Sequence, residues 1–410
     1  MSKIKVFVSA YACEPNRGSE IGVGWNWVLQ MSEYFELWVL TRKSNKRSIE
    51  EWIRKSDNKN DIHFVYYDLP RALSFWKKGL RGVRLYYNMW QIASNKIVEN
   101  TMKNNGIEIY HLLTYGNSLW KVSNYGMNQF FVWGPTGGVD YISNKFTAYY
   151  GIKFKVREAI RRLVINTLPF NYGFKKKCKK AKIIFCKSES MYKAIPEKYR
   201  EKAKLFTDCA VNEQLISKPE ERQREKVCFI TVGRLDAWRN YDVLIEAFTK
   251  AYNKNKNITL KIVGTGNDER RLKSLIGIRG MSDTIEMPGE VEIEEYIKLM
   301  KDADVVVNPA YKESAVTMSF DSMALSKPLI CIETGGYTKN FNEEGAIIIK
   351  QGTREKMIED ISQALLEMSD SSTRWYKANK TYELACKNTW ANKGKEICKE
   401  IMSVYERYNK

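Results

Sequence analysis

No window of the 410-residue chain reaches the roughly 18 uncharged apolar residues that a helix needs to cross a bilayer. The opening MSKIKVFVSAY has too short an apolar run for a secretory leader and alternates like a first strand. A protein made and kept in the cytosol is the expectation. Histidine is nearly missing, with only His63 and His111. The eight cysteines (Cys13, Cys178, Cys186, Cys209, Cys228, Cys331, Cys386, Cys398) include no Cys-x-x-Cys pair and no zinc spacing. Several lie in apolar strand runs, where cysteine acts as a small hydrophobe, so neither disulfides nor a structural metal are expected. Zinc-finger, RNP and helix-turn-helix patterns are absent, which leaves nucleic acid out as a partner. The glycines of Gly22-Val23-Gly24-Trp25-Asn26-Trp27 lack the third position of a dinucleotide fingerprint. Repeats and low-complexity tracts are also lacking.

What is present is enough apolar residue, 44%, for an ordinary core in each of two domains. Ile4–Ala10, Leu37–Leu40, His63–Tyr66, Ile109–His111, Phe130–Trp133 and Ile183–Cys186 read as buried strands separated by helical segments. That alternation predicts a doubly wound parallel sheet. The polar run from Asp208 to Lys226 reads as a linker. A second α/β series follows it: strands Val227–Val232, Thr259–Val263, Thr284–Glu286, Val305–Asn308, Leu329–Ile332 and Ala346–Ile349, with helices between them. The expected division is 1–210, a linker at 211–226, 227–389, and a final helix at 390–410 returning to the first domain.

Acids are outnumbered, 48 against 67 Lys and Arg, giving a net charge of +19. The excess is concentrated. From Gly151 to Lys182 there are eleven bases and one acid, Glu158. Ile152, Val156, Ile160, Leu163 and Val164 fall at helical spacing beside Lys153, Lys155, Arg157, Arg161 and Arg162. Such a helix either lies on anionic lipid or turns its apolar side to the core. A second stripe, Trp76, Leu80, Val83, Tyr87 and Trp90, predicts one helix face. It reads as core packing, an acceptor groove or a membrane-dipping face.

Ligands of open α/β sheets collect at strand carboxyl ends, which selects six places. After the first strand, Gly18 and Ser19 sit in a loop that opens a helix. His111 closes a strand, and Gly137-Gly138 follows another; either feature is ligand-facing or structural. Gly264 ends a strand in the second domain. In VGRLDAWRNYDVLIEAF, Arg234 and Arg239 bracket a strand-to-helix turn, where two guanidiniums can neutralise a diphosphate. In NPAYKESAVTMSFDSMALSKPLICIETGG, Glu313 precedes a helix start and Asp321 lies on that helix. The pair can grip a polyol from two sides, with the helix N-terminus between them for an anion.

These blocks resemble, in order, those of retaining glycosyltransferase family 4. VGRLDAWRNYDVLIEAF is similar to its Gly-Arg-Leu…Lys-Gly…Leu-Ile-x-Ala-Phe block, with Arg239 at the Lys and Asn240 at the Gly. LKIVGTGNDERRLKSL resembles the Gly-x-Gly block and the Glu313 stretch the Glu-x7-Glu element. ACEPNRGSEIGVGWNW with WGPTGG resembles an N-terminal variety of polysaccharide-forming members. The resemblance implies a GT-B fold, two facing Rossmann-like domains with a nucleotide diphosphate sugar mainly on the second. By that likeness Arg234 and Arg239 hold the donor diphosphate and Glu313 the donor-sugar hydroxyls. Asp321 takes the ribose, and the amides around Ser314, Ala315, Val316 and Thr317 take sugar and phosphate. Gly18 and Ser19 close over the diphosphate, and His111 lies near the donor sugar. No cofactor or metal is implied. The sequence departs from the pattern at Asp321 (for Glu), Ser314 and Ser326 (each for Gly). The expected activity is retaining transfer of a hexose-type sugar to a polysaccharide, glycolipid or lipid-linked acceptor, with the protein peripheral on the inner membrane face. A non-catalytic partner subunit that stabilises another transferase is the alternative; a GT-B epimerase or phosphorylase is a third reading, the latter lacking a cofactor-lysine motif.

Overall fold

The computed structural model describes residues 3–410 apart from 57–60, 78, 80, 143, 148–149, 222–223 and 314–315. The chain divides into two units, Met1–Val139 with Val164–Asp208 and Trp390–Lys410, and Asp140–Leu163 with Cys209–Thr389. A division at residue 210 alone misses the excursion Asp140–Leu163, which clusters with the second unit.

In the first unit the strands are β1 (Ile4–Ser9), β2 (Phe35–Thr41), β3 (Ile62–Tyr66), β4 (Ile109–Leu112), β5 (Phe130–Thr136), β6 (Ala181–Cys186) and β7 (Ala203–Leu205). They pair in the order β3-β2-β1-β4-β5-β6-β7, and every pairing is parallel. Helices cover both faces of such a sheet, so its strands read as continuous apolar runs rather than as alternation. That is why Val6, Phe7, Val8, Ile109 and Val132 are all fully buried. The last helix, Trp390–Asn409, packs here on the Ser19–Ser32 helix. Trp390 meets Trp27 edge to face at 5.3 Å, and a Cβ on Gly394 would lie 2.6 Å from the Gln30 Cβ. A bare backbone at residue 394 sets that close helix approach.

The aromatic stripe predicted from Trp76 to Trp90 is shorter than expected. Helix begins only at Val83, because Gly79 and Gly82 both take positive φ (+54° and +77°), which ends any helix running into them. Tyr87 and Trp90 are buried in the core, Trp76 lies in the turn before the helix, and Leu80 is outside the described residues.

The second unit carries β8 (Val227–Val232), β9 (Ile258–Val263), β10 (Ile285–Gly289), β11 (Val305–Asn308), β12 (Leu329–Ile332) and β13 (Ala346–Ile349). Their order is β10-β9-β8-β11-β12-β13, again all parallel. The expected doubly wound, Rossmann-like pair of sheets is what the chain forms. The order reverses direction between β8 and β11, and such a reversal opens a crevice outside the strand ends because the two following connections leave toward opposite faces. The loops that leave β8 and β11 are the ones holding Arg239 and Glu313. Topology therefore selects this place before any side chain is considered.

Among the described residues, no helix is long and apolar enough to cross a membrane. The basic helix spans Ile152–Asn166, and its apolar stripe faces outward: Ile152 is 79% exposed and Leu163 65%. The alternative that this stripe packs on the core is overturned, because Phe154 and Glu158 on the other side of the helix make the inward contacts.

Candidate donor site in the second unit

Strand β8 ends at Val232, and Gly233 then takes φ +153°. A Cβ on Gly233 would lie 2.8 Å from the Arg239 guanidinium and 3.0 Å from the Tyr241 hydroxyl. The bare backbone is what lets Arg239 fold back over the strand end. Gly264, at the end of β9, stands even closer: its Cβ would sit 2.2 Å from the Gly233 carbonyl oxygen. Gly264 thus seats one strand end against the next. The turn then passes through Asn240, fully buried with φ +58°. This left-handed conformation is the usual reason for glycine at such a position, and asparagine is among the side chains that tolerate it best. Asn240 also donates to the Pro309 carbonyl at 2.9 Å, which joins the loop after β8 to the loop after β11.

Across that join the Arg239 guanidinium meets Glu313 at 2.8 Å, with both side chains mostly buried. The other Glu313 oxygen accepts from the Asn308 amide at 3.0 Å. Burial pushes the Glu313 carboxyl up from its ordinary range, against the pull of Arg239 and the Asn308 hydrogen bond. One guanidinium donor is left over. Arg239 Nε is buried and has no hydrogen-bond partner among the described residues. Because an unpaired charged donor away from water is costly, this N–H is a place where an oxygen-rich ligand gains a strong hydrogen bond.

Arg234 lies differently. Its side chain is 68% exposed and paired with Asp236 close by in sequence. The two arginines therefore do not converge here: Arg239 is fixed on Glu313, and Arg234 is held at the surface by an exposed contact of small energetic weight.

The Thr317–Ala324 helix starts after Val316, which is buried, extended and supplies no capping side chain. Thr317 is exposed at the first position. Val316 itself supplies no side-chain cap to the first turn, and a helix start of this kind can receive an anion. Ser314 and Ala315 lie outside the described residues. Asp321 accepts from the Tyr296 hydroxyl at 2.6 Å, so the carboxylate expected at the ribose is engaged by the Ile293–Asp302 helix. Burial pushes the Asp321 carboxyl up to about 6, with the Tyr296 bond pulling the other way.

The sign of that shift is testable. Below the ordinary carboxylate range Asp321 is protonated in both folded and unfolded chains and costs nothing. As pH rises through about 6 the native state must bury a charge that the unfolded chain keeps in water, so stability falls. Asp321→Asn removes the penalty. Its gain over the wild type should be close to zero at pH 3, about half developed at pH 5 and reach about 3 kcal/mol at pH 8, read by thermal or urea unfolding at the three values.

Ser326 also occupies a left-handed position, φ +54°, and its hydroxyl donates to the Ser217 carbonyl. The hydrogen bond offsets part of the strain that glycine would avoid. The residue supports the linker rather than the crevice.

The first-unit candidates lie at the ends of β1, β4 and β5. Gly18 is an extended, exposed residue at the start of the Ser19–Ser32 helix, and a Cβ there would meet nothing within 4 Å. Among the protein's own atoms, nothing crowds that position. The glycines the turn does need are Gly22 and Gly24, where a Cβ would lie 1.9 Å from the Arg17 carbonyl oxygen and 2.0 Å from that of Ala12. Ser19 is exposed with φ +58°, and no side chain caps the helix start. His111 is fully buried and its Nε2 donates to the Gly134 carbonyl at 2.6 Å. Burial pulls its pKa down to about 4, leaving a neutral ring with Nδ1 lacking a partner among the described residues. Gly137 and Gly138 form the turn after β5: Gly137 donates to Gly116, and Gly138 takes φ +86° with Asn117 packed against it.

Sequence reading missed Asn308, Tyr296 and the Lys312–Glu158 pair. Asn308 was detectable as the polar end of an otherwise apolar strand, and Glu158 as the lone acid in a basic run. Tyr296 carries no sequence signal, since a tyrosine on an amphipathic helix reads as core.

Residues 212–382 match the family model described as glycosyl transferases group 1. A D-inositol 3-phosphate glycosyltransferase from Arthrobacter sp. is 27% identical over 153 residues, 36% of each chain. An uncharacterized glycosyltransferase of Methanocaldococcus jannaschii is 24% identical over 203 residues, 48% of this chain and 49% of that one. The chain thus spans about half the length, or less, of the curated relatives it matches. Solved structures align almost end to end. WaaG, a glycosyltransferase involved in lipopolysaccharide biosynthesis, superposes with a TM-score of 0.61 at 14% identity over 97% of this chain and 99% of that one. Anabaena HepE in complex with UDP gives 0.58 at 13% identity, over 98% and 100%. Residues 212–382 match the group 1 glycosyl transferases, and the chain as a whole has the fold of GT-B glycosyltransferases.

Proposed function

We propose that the protein is a retaining glycosyltransferase moving a hexose-type sugar from a nucleotide diphosphate sugar to a polysaccharide, glycolipid or lipid-linked acceptor at the cytoplasmic membrane face. The observation that carries this reading is the buried Arg239–Glu313 pair at the sheet's switch point, with Arg239 Nε left over for a ligand oxygen. In the reaction the bond from sugar C1 to the diphosphate oxygen breaks, and negative charge grows on the departing nucleoside diphosphate. A fixed cation that is already oriented lowers that barrier without reorganising. Arg239 supplies it from within, and Arg234 swings from Asp236 onto the outer phosphate. The start of the Thr317–Ala324 helix adds amide donors. Glu313 accepts from donor-sugar hydroxyls and sets the face of C1 that the acceptor reaches. The acceptor hydroxyl attacks from the side the diphosphate leaves, and its proton passes to a phosphate oxygen. With guanidiniums and amides carrying the charge, the reading is metal-independent.

Support from relatives is of two kinds: HepE is described with UDP, and WaaG with lipopolysaccharide biosynthesis. The test is release of nucleoside diphosphate from a panel of uridine and guanosine diphosphate sugars, with the product anomer followed by NMR. Retained configuration supports the mechanism; inversion excludes it. The engagement of Asp321 by Tyr296 favours a second reading, a non-catalytic partner subunit. That reading requires an active companion to co-purify and its activity to survive Arg234→Ala.

A further inference from the structure

The excursion Asp140–Leu163 leaves the first sheet's chain and is built into the second unit. Ile142 is buried in that unit's core, and Phe146 stacks on Tyr311 at 4.8 Å. The Tyr150 hydroxyl bonds Asn240, the residue after Arg239. Glu158, in the middle of the basic helix, forms a buried ion pair with Lys312, the residue before Glu313. Its other oxygen accepts from the Ile142 amide at 3.3 Å. Burial alone would raise the Glu158 carboxyl, but Lys312 and that amide outweigh it and hold the group low. The excursion is thus fastened to both loops of the candidate site, through Tyr150 before the helix and through Glu158 on one face of it.

The opposite face of the helix is exposed. At 3.6 residues per turn, Ile152, Val156, Ile160 and Leu163 form one stripe, and Glu158 falls on the far side of the helix from them. The stripe is exposed along its whole length. Lys153 and Arg157 flank it on one side, Lys155 and Arg162 on the other, and the helix's only acid is the inward Glu158. Two exposed aromatics, Phe170 and Tyr172, follow in the chain. An apolar stripe edged by cations suits an interface that is apolar inside and anionic at its rim. A bilayer leaflet has that profile, and a neutral protein groove does not.

We propose that the outer face of the Ile152–Asn166 helix docks on an anionic lipid bilayer and so holds the Glu313 loop at the membrane surface. The proposal rests on the transferase reading for its purpose, which is to bring the donor site to a lipid-linked acceptor. The docking itself is independent of catalysis. The full chain should sediment with phosphatidylglycerol-containing vesicles and not with pure phosphatidylcholine ones, and rising salt should release it. Ile152→Ser/Val156→Ser/Ile160→Ser and, separately, Lys153→Glu/Lys155→Glu should each weaken vesicle binding by about tenfold or more. Their unfolding temperatures should stay at the wild-type value, since these side chains leave the core untouched.

Three results overturn the proposal: no preference for anionic vesicles, variants that bind like the wild type, or a chain dimer that the serine variant dissociates, which would make the stripe a self-interface. A parallel measurement of nucleoside diphosphate release separates the two claims. Release without vesicle binding sinks the docking alone; vesicle binding with no release from any donor sinks the transferase reading alone.

Discussion

Glu313→Gln is expected to lower nucleoside diphosphate release about a hundredfold while the protein stays folded. Glutamine keeps the volume and one carbonyl acceptor, so the Asn308 contact survives in weaker form. What goes is the charge that faces Arg239 at 2.8 Å and that, in the proposed role, accepts from sugar hydroxyls. A hydrogen bond to an ionised group contributes about 1.5–3 kcal/mol, and roughly 2.7 kcal/mol off transition-state binding is a factor of a hundred. Glu313→Ala should lose more, because it also opens a cavity beside the guanidinium. The comparison to make is kcat against KM for both variants. A loss seen only as a raised KM, with kcat unchanged, would mean that Glu313 binds the donor equally well before and during reaction, and the assigned role would fail.

The second large effect separates the two arginines by stability. Arg239→Ala strips the counter-charge from a buried carboxylate, and breaking such a pair from one side costs about 3–5 kcal/mol. We expect a fall in denaturant midpoint of that size, largely recovered by adding Glu313→Gln, which removes the stranded charge. Arg234→Ala should leave stability within about 0.5 kcal/mol, because its pair with Asp236 is exposed. Its kcat/KM should nonetheless drop about a hundredfold, the usual cost of one fixed charge at a leaving group. Equal stability losses in both variants, or an active Arg234→Ala, would make both arginines structural.

Strand positions were legible because a parallel sheet covered on both faces needs unbroken apolar runs, and β8, β11, β12 and β13 have the predicted bounds. The loops at the switch point followed from the same pattern. Local chemistry also carried through where the backbone demands it. Asn240 and Ser326, which depart from the family's glycines, both hold left-handed φ, so the pattern had recorded a conformational requirement. Tertiary choices were not legible. Nothing in Glu313-x7-Asp321 says that Tyr296 will engage the second acid, since the Ile293–Asp302 helix comes from elsewhere in the chain. Nor does a basic run announce which side it buries. Only the inward turn of Glu158 to Lys312 decides that the apolar stripe faces out. Nor does the glycine-rich loop say which of its glycines the turn itself requires: the crowded positions are Gly22 and Gly24.

The most direct measurement is thermal unfolding of the wild type with uridine and guanosine diphosphates and their sugars, since a ligand bound only by the folded state raises the midpoint in proportion to its occupancy. The account predicts a clear upward shift with one nucleotide series, sharply reduced in Arg239→Ala/Glu313→Gln. A midpoint that no nucleoside diphosphate moves, or a shift that persists unchanged in that double variant, would contradict it.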